Sequence, residues 1–161
     1  MREVKLLKVL VLVSIIVCFV GVMGCETKTK TAADAPLPKA GFRANISFEN
    51  PPTTVKAGSD LFVTVHLKNI SSELWPSAGG KAPIFLAYHW LDRAGHNIIW
   101  DGIRTGPPYD LKPNKEAAIK VRVKAPGQPG DFVLVFDVVQ EGITWFEKQG
   151  SKSGTLNMKV E

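Results

Sequence analysis

Tyr88-His89-Trp90-Leu91-Asp92 sets a phenol, an imidazole, an indole and a carboxylate within five residues. Further on stand Trp100, Asp101, Arg104, Asp137, Glu141 and Trp145. Two kinds of chemistry need such residues. An indole can stack on a sugar ring while Asp and Arg bond its hydroxyls, which makes Trp100, Asp101, Arg104 and Trp145 candidate ligand residues. A histidine beside a carboxylate can hold or move a proton, which makes His89 and Asp137 a candidate pair. A glycosidase would need two carboxyls about 5–9.5 Å apart, for which Asp92, Asp101, Glu141 and Glu147 are available. No nucleophile elbow, glycine-rich phosphate loop or HExxH run accompanies them. His66, His89 and His96 lack metal-ligand spacing. The expectation is a chain with no catalytic residue, no metal and no cofactor.

These side chains need a scaffold, and the pattern behind them has period two. Leu61, Val63, Val65 and Leu67 alternate with Phe62, Thr64, His66 and Lys68, and Ile119, Val121 and Val123 with Lys120, Arg122 and Lys124. Asp131 to Val139 is nearly continuous apolar sequence, and Thr155 to Val160 reads as a last short strand. Turn signals separate the segments, among them Gly106-Pro107-Pro108, Lys112-Pro113-Asn114 and Pro126 to Gly130. No window carries a helical stripe. The reading is all-β, an immunoglobulin-like antiparallel β-sandwich over residues 42–161, roughly the length of one such domain.

Alternation then divides the aromatic motif. Leu86, Tyr88 and Trp90 share one strand face, and Phe85, Ala87, His89 and Leu91 the other. Trp90 is the expected core tryptophan, and Phe132, Leu134, Phe136 and Val138 point inward beside it. Val133, Val135, Asp137 and Val139 point outward. Pairing of the two strands would put His89 and Asp137 on one outer face, within reach of a hydrogen bond. Trp75, Trp90, Trp100 and Trp145 are otherwise expected to fill core and edge.

The N-terminus reads as an address. Arg2, Lys5 and Lys8 precede an apolar run from Val9 to Gly24, the layout of a secretory signal. The run falls short of the roughly 20 apolar residues a spanning helix prefers. Val22-Met23-Gly24-Cys25 resembles a bacterial lipobox. That resemblance implies residues 1–24 as signal peptide and a lipid-bearing Cys25 as mature N-terminus, anchored in a membrane by two or more acyl chains. Residues 25–41 form the lipidated cysteine and a flexible tether, with "ETKTKTAADAPLPK" from Glu26 to Lys39 lacking apolar periodicity. Cys18 would be lost with the signal, leaving the domain no disulfide. Glu26 after the cysteine fits the periplasmic face of the outer membrane in a Gram-negative cell. The formal charge of +5 includes a surplus of two from residues 1–24, leaving +3 for the rest. Lys120, Arg122 and Lys124 are expected as a solvated strand face, although such a row can touch anionic phosphate. An exported address disfavours nucleic acid.

Three segments carry a second resemblance: Asn69 to Pro76, "LAYHWLDRAGHNIIWDGIRTGPP" from Leu86 to Pro108, and Ala125 to Phe146 with its "DVVQEGITWF" end. Together they resemble an immunoglobulin-like accessory domain of bacteria that accompanies glycosyltransferases and other proteins of surface-polysaccharide synthesis. The matching residues are Asn69, Trp75, Pro76, Tyr88 to Asp92, Asp101-Gly102, Arg104-Thr105, Asp137, Val139, Glu141-Gly142 and Trp145-Phe146. Lys112-Pro113-Asn114 departs from the Pro-Gly turn of that pattern, and Asn tolerates the same left-handed turn. The resemblance implies a non-catalytic, lipid-anchored domain of the cell envelope. Its expected partners are the membrane and either a surface polysaccharide or an envelope protein.

Overall fold

The computed structural model describes residues 35–161, apart from 78, 80 and 81. The signal, Cys25 and most of the tether lie outside the described residues. Among the described residues nine strands make two sheets. The first sheet joins β1 (Ala44–Glu49), β3 (Asp60–Asn69) and β6 (Glu116–Lys124), in the order β1-β3-β6. The second joins β2 (Thr54–Val55), β9 (Gly154–Val160), β7 (Gly130–Gln140), β4 (Ile84–Asp92) and β5 (Asn97–Ile99), in that order. The short β8 (Thr144–Trp145) also pairs with β7. All pairings are antiparallel except that of β2 with β9. The fold is an all-β, immunoglobulin-like sandwich.

Parity built the core as expected. Val63, Val65 and Leu67 of β3 and Ile119, Val121 and Val123 of β6 face Leu86, Tyr88, Trp90, Leu134, Phe136 and Val138 of the second sheet, all buried. Burying each large side chain contributes about 1.5–3 kcal/mol. Phe42, Trp75 and Phe146 close one end in edge-to-face contacts at 5.1 and 5.0 Å. β1, β2, β5 and β8 lie outside the strands that the sequence pattern predicts.

Tyr88 and Trp90 do more than fill space. The Lys124 N–H donates to the Tyr88 hydroxyl, and the Trp90 indole N–H donates to the Lys124 carbonyl, both at 2.9 Å. Two β4 side chains therefore satisfy the last residue of β6 across the core, where an unpaired backbone group would be costly. Asp92 builds the following turn by accepting the N–H groups of Ala94 at 2.9 Å and His96 at 2.8 Å. Gly102 donates to the Tyr88 carbonyl at 2.9 Å, and a Cβ there would stand 2.5 Å from the Tyr88 ring. Asn114 takes φ 61°, the left-handed turn its type allows.

The docked chain starts earlier than the expected boundary at residue 42. Buried Gln140 accepts the Leu37 N–H and donates to the Ala35 carbonyl, both at 2.9 Å. Leu37 also packs against the core. A buried amide needs partners, and here the incoming chain supplies them, so residues 35–41 belong to the domain surface rather than to a free tether.

Candidate functional site

The outer face of the second sheet is covered around His89. The turn from β7 into β8 is made by Glu141-Gly142-Ile143, with Gly142 at φ 71°. Trp145 then pairs with Val139 and lies on the outer face, while its neighbour Phe146 turns into the core. From the other side, Trp100 follows β5. Between them sits His89, 2% exposed.

The aromatic cluster is close. The His89 ring stacks on Trp100 at 4.2 Å and 15°, and meets Trp145 at 4.6 Å and 62°. The two indoles contact each other at 5.8 Å. The Arg104 guanidinium lies 5.3 Å from the centre of the Trp145 ring. Its Nε donates to Glu141 at 2.5 Å and its terminal nitrogen donates to Asp101. Arg104 is thus fixed by two carboxylates and a π-face, a planar cation held rigidly at a half-buried site. Asp101 and Glu141 converge on that one guanidinium, an arrangement that orients a cation rather than opening space for water between two acids.

The structure brings together five of the six expected ligand residues: His89, Trp100, Asp101, Arg104 and Trp145. Asp137 shares their face, but its expected bond to His89 does not form. The strand register places Asp137 opposite Ala87 and His89 opposite Val135, so the two side chains are offset along the sheet. Asp137 accepts the N–H groups of Val138 at 2.7 Å and Glu147 at 3.3 Å, tying down the one-turn helix Glu147–Gln149. The His89 Nδ1 donates to the Trp100 carbonyl. Its Nε2 is buried without a partner.

Burial drives the two groups in opposite directions. It pushes His89 down to about 4, with Asp101 opposing and Arg104 adding to the shift. It pushes Asp137 up to about 7, against the Val138 and Glu147 hydrogen bonds and with the Glu147 charge adding.

Two grooves flank the cluster. One of about 300 Å³ runs between Arg104, Glu141, Ile143, Trp145 and Lys148. The other, about 210 Å³, has His89, Leu91, Val133, Val135 and Thr155 along it and Trp100 and Glu147 beside it. A larger depression of about 420 Å³ lies away from this cluster, between Arg43, Ile46, Ile70 and Lys152. Among the described residues no three His, Cys, Asp or Glu side chains gather as a metal site. Sequence reading left Glu141 and Glu147 outside the ligand set. The Arg104–Glu141 pair spans 37 residues, and no local pattern signals it.

No protein-family model matches the chain, and no curated protein matches it in sequence. Among solved structures it is similar to a β-glucosidase from Listeria innocua bound to laminaribiose, at 12% identity and TM-score 0.48. That alignment covers 74% of this chain and 16% of the glucosidase. It is also similar to the CARDB domain of a Pyrococcus furiosus protein in complex with di-metal ions, at 17% identity and TM-score 0.45, covering 74% of this chain and 86% of that one. A sporulation control protein from Bacillus subtilis aligns at 14% identity and TM-score 0.44, over 74% of this chain and 49% of its own. At such identities the functional argument rests on this chain's own residues.

Proposed function

We propose that this domain is a non-catalytic binding module of the cell envelope, anchored by lipid on Cys25, that takes a sugar ring against Trp100. The glycan would be a surface polysaccharide, or an intermediate held for its assembly machinery. In a Gram-negative cell the module would sit on the periplasmic face of the outer membrane. One observation carries the reading. Trp75 and Trp90 are buried and their indole N–H groups are bonded to Gly41 and Lys124, whereas Trp100 is 44% exposed with one face already stacked on His89. Asp101 and Arg104 stand beside it, and a rigid indole with a polar rim suits a ring that is apolar on its face and hydroxylated at its edge.

The test is a titration of the full chain with envelope polysaccharide, followed by tryptophan fluorescence. Saturable quenching is expected, and Trp100→Ala should abolish it while leaving the melting temperature nearly unchanged. Undiminished binding by Trp100→Ala would overturn the stacking role. A protein-contact reading is favoured by exposed Ile98 of β5 and by exposed Ile103 and Ile143 on the loops around the same cluster. No response across a broad glycan set would leave that reading standing.

A further inference from the structure

His89 is almost wholly enclosed, yet half of its polar capacity is unused. Because Nδ1 gives its proton to the Trp100 carbonyl, Nε2 is a bare acceptor. Buried polar atoms are normally paired, so an orphan one asks what pairs it. The strand register answers where. His89 stands opposite Val135, and Val135 opposite Thr155, which makes one row across β4, β7 and β9. Leu91 and Val133 form the next row. These rows floor the groove of about 210 Å³, smaller than the roughly 300–1,000 Å³ of drug-sized sites, so it holds one ring rather than a chain. Trp100 stacks on one face of His89 and Trp145 meets its ring as well, and Nε2 is enclosed among them without a partner. Unlike Trp75 and Trp90, the Trp100 indole N–H has no partner among the described residues, and the ring is held against His89 and Trp145.

We propose that His89 Nε2 is the polar anchor of this groove, reached when the side chains enclosing it shift to admit one uncharged sugar unit whose hydroxyl donates to Nε2. The proposal rests on the glycan reading above and names the ligand class and the anchoring atom. The chemistry of the groove selects for donors. Nε2 accepts, the Glu147 carboxylate accepts, and the floor is aliphatic. An acidic sugar would bring its carboxylate to an acceptor lone pair and a second carboxylate. The Arg104 guanidinium is already engaged by Asp101 and Glu141, and Lys148 lies along the other groove. The low proton affinity of buried His89 keeps Nε2 bare down to about pH 4.

The experiment titrates the full chain in detergent with glucose oligomers, N-acetylglucosamine oligomers and oligogalacturonate. One or both neutral sets should bind and oligogalacturonate should not. His89→Phe keeps an aromatic ring under Trp100 and removes the acceptor, so it should weaken neutral-sugar binding by at least about tenfold while the variant remains folded. The wild type supplies a measurement that needs no variant. In the ¹⁵N spectrum of the imidazole, the unprotonated His89 nitrogen should move upfield as neutral sugar saturates. A resonance unmoved at saturation, full binding by a folded His89→Phe, or equal binding of oligogalacturonate would each overturn the proposal. Binding lost in Trp100→Ala with His89 silent would sink this inference and spare the glycan reading. Binding of none of the sugars would sink both.

Discussion

Asp137 and His89 lie on one face of one sheet, both 2% exposed, and burial moves their protonation in opposite directions. Asp137 rises from 3.8 to about 7 on folding, so its contribution to stability is fully present below about pH 3.8 and is lost as pH rises towards 7. His89 falls from 6.5 to about 4, so its contribution is present above about pH 6.5 and is lost as pH falls towards 4. Between about pH 4 and 6.5 the slopes oppose, and the wild type should be nearly flat there. Asp137→Asn keeps the acceptor for the Glu147 N–H and removes one slope. Its stability should then climb with pH across that window, by up to about 1.4 kcal/mol per pH unit. His89→Phe should show the reverse, a decline from about pH 4 to 7. Urea unfolding at stepped pH reads both. Parallel curves for the two variants would mean that these groups do not govern the pH response.

At the scale of the element, β4 explains why one motif looks like chemistry and is mostly architecture. Its inward residues Tyr88 and Trp90 tie the end of β6, its last residue Asp92 caps a turn, and His89 and Leu91 turn towards the candidate site. Trp90→Ala removes a buried ring and orphans the Lys124 carbonyl, and should cost about 3–5 kcal/mol by chemical denaturation. A cost below about 1 kcal/mol would place the ring outside the core. β6 itself ends its sheet, and its exposed Lys120, Arg122 and Lys124 have a role there. Arg122 and Lys124 pair with Asp60 at 3.1 and 3.7 Å, and Lys120 lies 4.9 Å over exposed Phe62. Charged side chains on an edge strand discourage pairing with another chain, so the basic row works as edge protection.

The whole molecule is a two-sheet core with no cysteine after Cys25, so the sandwich holds by burial rather than by disulfides. The lipid on Cys25 is proposed as its only covalent tie to the envelope. Cys25→Ser should leave an uncleaved precursor without lipid. Mass spectrometry of the wild-type N-terminus should find a diacylglycerol-modified Cys25, and an unmodified residue in its place would refute the anchor. The docking of Ala35 and Leu37 on Gln140 brings the packed chain seven residues ahead of the expected boundary at residue 42.

The sequence by itself determined which residues face the core along β3, β4, β6 and β7, because a strand alternates sides by local geometry alone. It determined the Asn114 turn and the assignment of Tyr88 and Trp90 to the interior for the same local reason. Tertiary structure decided the candidate site. Whether Trp100 is exposed, whether Arg104 meets Glu141, and whether His89 meets Asp137 all depend on how strands distant in sequence are registered. β5 and β8 run only three and two residues, too short to carry an alternation of their own. The offset of His89 from Asp137 is fixed by the whole β4–β7 ladder from Ile84 opposite Gln140 to Asp92 opposite Phe132. Face is a property of one strand, whereas register is a property of the pair, and the burial that leaves His89 Nε2 unpartnered exists only once the sheet and its covering turns are assembled.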